Sequence, residues 1–135
     1  MKGRALQILA LLFLQCASGV AQTQRTVPVQ WNWWVVSTPD FVGPFRGNDA
    51  GFKAPVHKEA LPKTLAVTQK GRIAGTFEVI VSTAGNAELE KVLSVSSAEV
   101  RARAREVLNL WRLEPALLEG KPIRVRLRVV LVEGG

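Results

Sequence analysis

The stretch that decides the fold is the last regular run of the chain, IRVRLRVVLV at residues 123–132. Apolar and charged residues alternate there, so one side of an extended chain carries only aliphatic side chains. These side chains belong to Ile123, Val125, Leu127, Val129 and Leu131. The opposite side begins with Arg124, Arg126 and Arg128. A period of two predicts a β-strand with one face against a hydrophobic core.

A β-hairpin is predicted upstream of this strand. The segment GTFEVIVS at 75–82 alternates in the same way, with Phe77, Val79 and Val81 on its apolar side. The next residues, TAGN, suit a turn because Gly85 and Asn86 tolerate positive φ. We expect the second strand of the hairpin to span residues 87–95.

A helix is predicted between the hairpin and the last strand. Ser96 and Glu99 have the spacing of a capping box, in which a serine caps the first turn and a glutamate returns the bond. Apolar residues then recur at helical spacing, at Val100, Ala104, Val107, Leu108 and Trp111. We expect Pro115 to stop the helix, because proline lacks the N–H that a continuing helix needs.

The order strand, strand, helix, strand predicts an α+β fold. We expect a two-layer sandwich in which one main helix packs on one face of a small antiparallel sheet. The chain has 135 residues, of which 47% are hydrophobic, so it can bury one modest core but not two. Multi-domain enzymes are therefore excluded.

Dense Pro and Gly residues between positions 22 and 62 exclude a long helix in the first half of the chain. One strand is still predicted within 27–36, where alternate residues share an apolar side: Val27, Val29, Trp31, Trp33 and Val35. We expect a loop over 37–54. A short helix is expected within 53–65, despite Pro55 and Pro62.

The first 21 residues have the three parts of a secretory signal peptide. They are a basic start at Lys2 and Arg4, an apolar run over 5–14, and small residues at Gly19 and Ala21. We predict cleavage after Ala21. An uncleaved membrane anchor is the competing interpretation, but the apolar run is too short to cross a bilayer, so no stable membrane span is expected.

The sequence is therefore divided into a signal peptide at 1–21, a segment rich in Trp, Pro and Gly at 22–54, and a folded domain at 55–135. Cleavage would remove Cys16, the single cysteine, and with it any disulfide or thiol chemistry. The chain carries 18 Lys and Arg against 11 Asp and Glu, a formal charge of +7. A signal peptide directs this basic chain out of the cytoplasm, which argues against nucleic acid as a partner.

The sequence offers little for catalysis. His57 is the only histidine, and the acidic residues lack metal-ligand spacing, so we expect no enzyme activity, no cofactor and no metal. His57 is interpreted as a surface residue. The three tryptophans Trp31, Trp33 and Trp34 suit either an aromatic binding platform or, preferably, the cover of a sheet.

Segment 75–132 resembles the C-terminal domain of TonB-type proteins, the periplasmic ends of energy transducers in Gram-negative bacteria. The resemblance is carried by WRLEPA at 111–116 and GKPI at 120–123, which follow a hairpin and a helix and precede a closing strand. It implies structural roles for Trp111, Pro115, Gly120 and Pro122. The chain departs from the family pattern in its cleavable-looking signal and short lead segment, so force transmission from an inner-membrane motor is not expected.

The resemblance also implies a periplasmic protein-binding module, linked to TonB-dependent transport. The last strand would be a free sheet edge, to which an extended peptide of an outer-membrane receptor or another envelope protein adds as a further strand. Arg124, Arg126 and Arg128 would contact that peptide. Two alternatives remain open. In one, the arginines serve only to keep an exposed face of the sheet hydrated, which is a structural role. In the other, the chain is an envelope assembly component that self-associates, as a homodimer, by edge pairing.

Overall fold

The computed structural model describes residues 23–41 and 51–134. The predicted signal peptide and its cleavage site lie outside these ranges. Over the described residues the fold is α+β, with mostly antiparallel sheet and one helix, as the sequence predicts. None of these residues form a helix with the length and apolar character that a membrane crossing requires.

The secondary structure follows the alternation in the sequence. In chain order the elements are β1 (Arg25–Ser37), β2 (Phe52–Lys53), β3 (Val56–His57), β4 (Thr64–Val67), β5 (Ala74–Val81), β6 (Ala87–Val95), α1 (Ala98–Leu110), β7 (Leu113–Glu114), β8 (Ala116–Leu118), β9 (Lys121–Ile123) and β10 (Val125–Glu133). The main sheet has the order β4-β1-β10-β5-β6, and every pairing in it is antiparallel. Two small ladders, β2-β8-β9 and β3-β7, complete the fold.

The hydrophobic core lies between the main sheet and α1. Cross-strand partners share a face of an antiparallel sheet, so the partners Trp33, Val129 and Phe77 of three neighbouring strands lie on the same side. The aliphatic side of β10, predicted from its period, is fully buried at Val125, Leu127, Val129 and Leu131. From the helix, Val100, Ala104 and Leu108 complete this core.

Strand β1 comes from the lead segment at 22–54, yet it belongs to the main sheet. It pairs with β10 from Val29 opposite Glu133 to Ser37 opposite Arg126. The lead segment and the predicted domain at 55–135 therefore share one sheet and one core. Trp31 and Trp33 pack against that core, whereas Trp34 on the other face is 47% exposed.

The predicted short helix within 53–65 is wrong. These residues form β2, β3 and the start of β4, separated by bends. Pro55 and Pro62 lack the N–H groups that a helix would need. The strands formed here pair with other strands instead: β2 with β8, β3 with β7, and β4 with β1.

The predicted N-cap of the helix needs correction. The N-cap is Ser97, whose hydroxyl accepts the Val100 N–H at 3.1 Å, and not Ser96. The helix ends at Leu110, ahead of Pro115, because the next residues turn toward the β5-β6 hairpin. The Leu113 N–H donates to the Gly85 carbonyl at 2.9 Å, and this contact competes with further helical bonds.

Glu99 joins the helix to the strand layer instead of closing a capping box. Its carboxylate accepts the backbone N–H groups of Thr68 and Gln69 at 2.8–2.9 Å, and the Thr68 hydroxyl at 3.0 Å. These bonds, the Thr68 N–H foremost, hold the pKa of Glu99 below its ordinary value of 4.5.

We predict that Glu99→Gln lowers the free energy of unfolding at pH 7 and has much less effect at pH 2.5. The pKa of Glu99 is lowered in the folded state, so its contribution is present above the unfolded-state pKa and is lost as the pH falls through the folded-state pKa. Urea unfolding at both pH values measures the difference. Glu106→Gln, at an exposed site on the same helix, is the control, and an equal effect of Glu99→Gln at both pH values would contradict the prediction.

Two glycines in turns allow a matched test of backbone conformation. Gly85 and Gly120 both have positive φ, at 85° and 81°. A Cβ at Gly120 would meet no neighbour within 4 Å, whereas one at Gly85 would overlap the Leu113 carbonyl oxygen. We predict that Gly120→Ala costs about 1 kcal/mol of stability, the penalty for left-handed backbone. Gly85→Ala should cost about 3 kcal/mol or more, because the clash adds to it. Equal unfolding midpoints for the two variants would refute this account.

Candidate functional site

The last strand is not a sheet edge. Strand β10 pairs with β1 on one side and β5 on the other along almost its full length. The expectation of a free edge at β10 is therefore wrong. The physical reason is that the alternating apolar residues of β1, led by Trp31 and Trp33, extend the buried face of the sheet, so β1 occupies the position that a guest strand would need.

Of the three arginines of the predicted peptide site, Arg126 and Arg128 lie on the outer face of the sheet, away from the helix, and Arg124 directly precedes β10. Each is paired with a carboxylate. Arg124 Nη2 lies 2.6 Å from Asp40, Arg126 Nε lies 2.8 Å from Glu90, and Arg128 Nη2 lies 2.9 Å from Glu78. Arg126 also donates to the Ser37 hydroxyl at 2.9 Å.

Two of these pairs shift pKa values. The hydrogen bond from Arg124 lowers the pKa of the Asp40 carboxyl, and the same bond raises the pKa of Arg124. The hydrogen bond to Glu90 likewise raises the pKa of Arg126. An acidic ligand that binds one of these arginines would have to displace the carboxylate with which that arginine is already paired. The role of Arg124, Arg126 and Arg128 as peptide contacts stays a prediction, but they cannot act beside a guest strand on β10.

The four predicted structural residues occupy the path from the helix to β10. Trp111 is 3% exposed and follows the last helical residue. Its ring meets that of Trp33 edge to face, with centroids 5.3 Å apart and planes at 78°, a favourable aromatic geometry. Pro115 lies between β7 and β8, Gly120 is in the turn between β8 and β9, and Pro122 faces Leu117 in the β8-β9 ladder.

A free strand edge does exist, on the other side of β1. Strand β4 pairs with β1 only from Arg25 to Pro28, and the Val29 N–H then donates to the Lys63 carbonyl at 2.8 Å. Backbone groups of alternate residues point to opposite sides of a strand. The N–H and C=O of Trp31 and Trp33 therefore face away from β10, and they have no backbone partner among the described residues. We call the stretch from Trp31 to Val35 on this side the open edge.

A groove lies beside the open edge. The chain between β3 and β4 lies opposite the open edge and is tied to β1, because the Trp31 indole N–H donates to the Pro62 carbonyl at 2.9 Å. The space between them, about 660 Å³, is the edge groove. Its apolar walls include Trp31, Trp33 and Leu61.

The ionisable side chains that line the edge groove are His57 and Lys63. His57 is exposed, as predicted, and its ring meets Trp33 edge to face at a centroid distance of 6.4 Å. The described residues contain no cluster of His, Cys, Asp or Glu able to hold a metal ion. Its apolar walls and the unpaired backbone beside them suit the groove to binding by backbone pairing and apolar contact.

The other outer strand of the sheet, β6, is a poor edge for pairing. Its ladder with β5 is irregular at two places, between Thr76 and Phe77 and between Glu78 and Val79. The Asn109 side chain already accepts the Leu89 N–H at 2.9 Å. Register irregularities, and side chains that bond the edge backbone, are two ways in which proteins prevent an edge strand from pairing with another chain. Along the open edge, by contrast, β1 keeps a regular register with β10 up to Val35, where a register shift follows.

Comparison of the chain with protein-family models, with curated proteins and with solved structures finds no match. The open edge and the edge groove are the structural basis of the functional proposal.

We predict that amide hydrogen exchange alternates along β1. The N–H groups of Gln30, Asn32 and Trp34 point at β10 and should be protected, whereas those of Trp31 and Trp33 should exchange at least about 100-fold faster. Exchange followed residue by residue by NMR measures the pattern. Uniform protection across Gln30–Trp34 would show that another part of the chain pairs with the open edge.

Proposed function

We propose that this protein is a periplasmic protein-binding module, without catalytic activity, that takes an extended peptide of an outer-membrane receptor or another envelope protein as an added strand. The guest lies on the open edge of β1, not on β10. The single observation that carries the proposal is the unpaired backbone of Trp31 and Trp33 beside an apolar groove. Strand addition needs both features, because backbone bonds supply affinity and pockets for alternate side chains supply specificity.

The TonB-type resemblance is part of this proposal. The order β5, β6, α1 and β10, with WRLEPA and GKPI between the helix and the last strand, supports a TonB C-terminal-like ββαβ unit. The proposed module also differs from that pattern in its sheet, because β1 covers the last strand and moves the exposed edge one strand outward. A role linked to TonB-dependent transport rests on the resemblance.

Backbone pairing with the guest follows from the spacing of free groups. Trp31 and Trp33 each offer one N–H and one C=O, so a guest strand forms up to four hydrogen bonds with them. Each such bond contributes about 1 kcal/mol. Every pairing already present in the main sheet is antiparallel, and an antiparallel guest continues that arrangement.

Side-chain contacts would select the guest. Alternate guest residues point toward the helix side, where Trp31, Trp33 and Leu61 present an apolar wall. The residues between them point to the outer face, next to Asn32 and Trp34, where Trp34 is half exposed. The guest is therefore an alternating segment with apolar residues on one side only.

A second candidate function is self-association. Antiparallel edge pairing is self-complementary, so two copies of β1 could pair around a two-fold axis through Trp33. The same open edge favours this candidate. It would make the protein an assembly component of the envelope, and it competes with guest binding because both use the same backbone groups.

We predict that heptapeptides selected from a random display library against the purified protein bind at the edge groove. Leu61→Glu, which puts a charge into the groove wall, should weaken them at least about tenfold, because the charge opposes burial of an apolar side chain. Fluorescence anisotropy measures the affinity, and bound peptide should slow amide exchange at Trp31 and Trp33.

Leu93→Glu is the matched control, because Leu93 is 40% exposed on β6 and does not line the groove. If Arg126→Gln abolished peptide binding and Leu61→Glu did not, the peptide would bind at the arginines and not at the edge groove. Failure to select any peptide, together with sedimentation that shows concentration-dependent dimers sensitive to Leu61→Glu, would favour self-association.

A further inference from the structure

The open edge is closed at one end. Strand β4 begins at Thr64 opposite Pro28, and the Lys63 carbonyl holds the Val29 N–H. A guest along Trp31–Val35 lies in line with β4, so it collides with the start of β4 after it passes Trp31. A guest must therefore end there or turn sharply away.

The direction of the guest decides which of its ends meets β4. Strand β4 runs antiparallel to β1, from Thr64 toward Val67. An antiparallel guest has the same direction as β4, so its carboxyl terminus would meet Lys63. A parallel guest would present its amino terminus instead.

The charge at the closed end favours one of these cases. Lys63 lines the groove, is exposed and belongs to no ion pair among the described residues. No carboxylate side chain of the described residues lines the groove. A positive closed end attracts a carboxylate and repels an ammonium group, and a hydrogen bond between two charged groups is about twice as strong as a neutral one.

We propose that the groove binds the carboxyl-terminal residues of its partner, antiparallel to β1, with the terminal carboxylate at the Lys63 ammonium group. This inference rests on the proposed function and names the part of the partner that binds. An apolar side chain near the carboxyl terminus lies against Trp31 and Leu61. The amino-terminal part of the guest leaves past Ser37, where β1 ends.

Two display libraries of random heptapeptides test the proposal, one with free carboxyl termini and one with free amino termini. The purified protein should enrich binders from the first library. The best binder, made as a free acid and as a carboxyl-terminal amide, should lose about tenfold in affinity on amidation. Lys63→Gln should remove the difference between acid and amide, whereas Lys70→Gln, an exposed lysine outside the groove, should preserve it.

The outcomes separate this inference from the proposed function. Binders that depend on Leu61 but bind equally as acid and amide would overturn the carboxyl-terminal inference and leave strand addition intact. Enrichment from the amino-terminal library alone would show a guest of opposite direction and would also overturn it. Enrichment from neither library would refute guest binding at the groove, and the inference with it.

Discussion

The structure depends on the pairing of β1 with β10. Strand β1 brings Val27, Val29, Trp31 and Trp33 to the face that α1 covers, and so extends the core beyond the hairpin, helix and last strand. Without β1, the buried aliphatic side of β10 would lie at the margin of the sheet, next to water. Burial of apolar surface is the main favourable term in folding, and the two partly buried indoles of Trp31 and Trp33 add to it here.

This pairing also decides where function can lie. By pairing with β10, β1 removes the edge at which the sequence analysis placed a guest peptide, and it creates another edge one strand further out. Strand β4 covers that new edge only as far as Pro28. The residues before β4 do not pair with the backbone of Trp31 and Trp33. They form the second wall of the groove instead. Because β4 is short, it leaves part of the β1 edge unpaired, and its first residues block one end of that unpaired stretch.

Arg126 and Arg128 of β10 illustrate how one pattern supports two interpretations. Their spacing predicts that they share a face of the sheet, and the structure places both on one face. The same spacing places Arg128 directly opposite Glu78 on β5. Ion pairs on an exposed sheet face contribute little stability, because water and salt screen them, but they keep the face hydrated. This placement supports the solvated-face interpretation more than the ligand interpretation.

Much of the fold could be predicted from sequence because its signals are local. The period of two in 75–82 and 123–132, the turn residues at Gly85 and Asn86, and the helical spacing from Val100 to Trp111 each act between neighbours in the chain. The strand in 27–36 was predicted for the same reason, and β1 confirms it. The predicted capping box was wrong because both of its residues bond remote parts of the chain, Glu99 the N–H of Thr68 and Ser96 the N–H of Ala74.

The sequence by itself determined which residues alternate, which face of each strand is apolar, and that one helix must cover that face. Only the tertiary structure decided that β1 lies between β4 and β10, that β10 is central, and that the free edge is at Trp31 and Trp33. The physical reason is that side-chain period assigns a strand's faces, whereas its neighbours are chosen by pairing between residues up to about 100 positions apart. No local pattern encodes that choice.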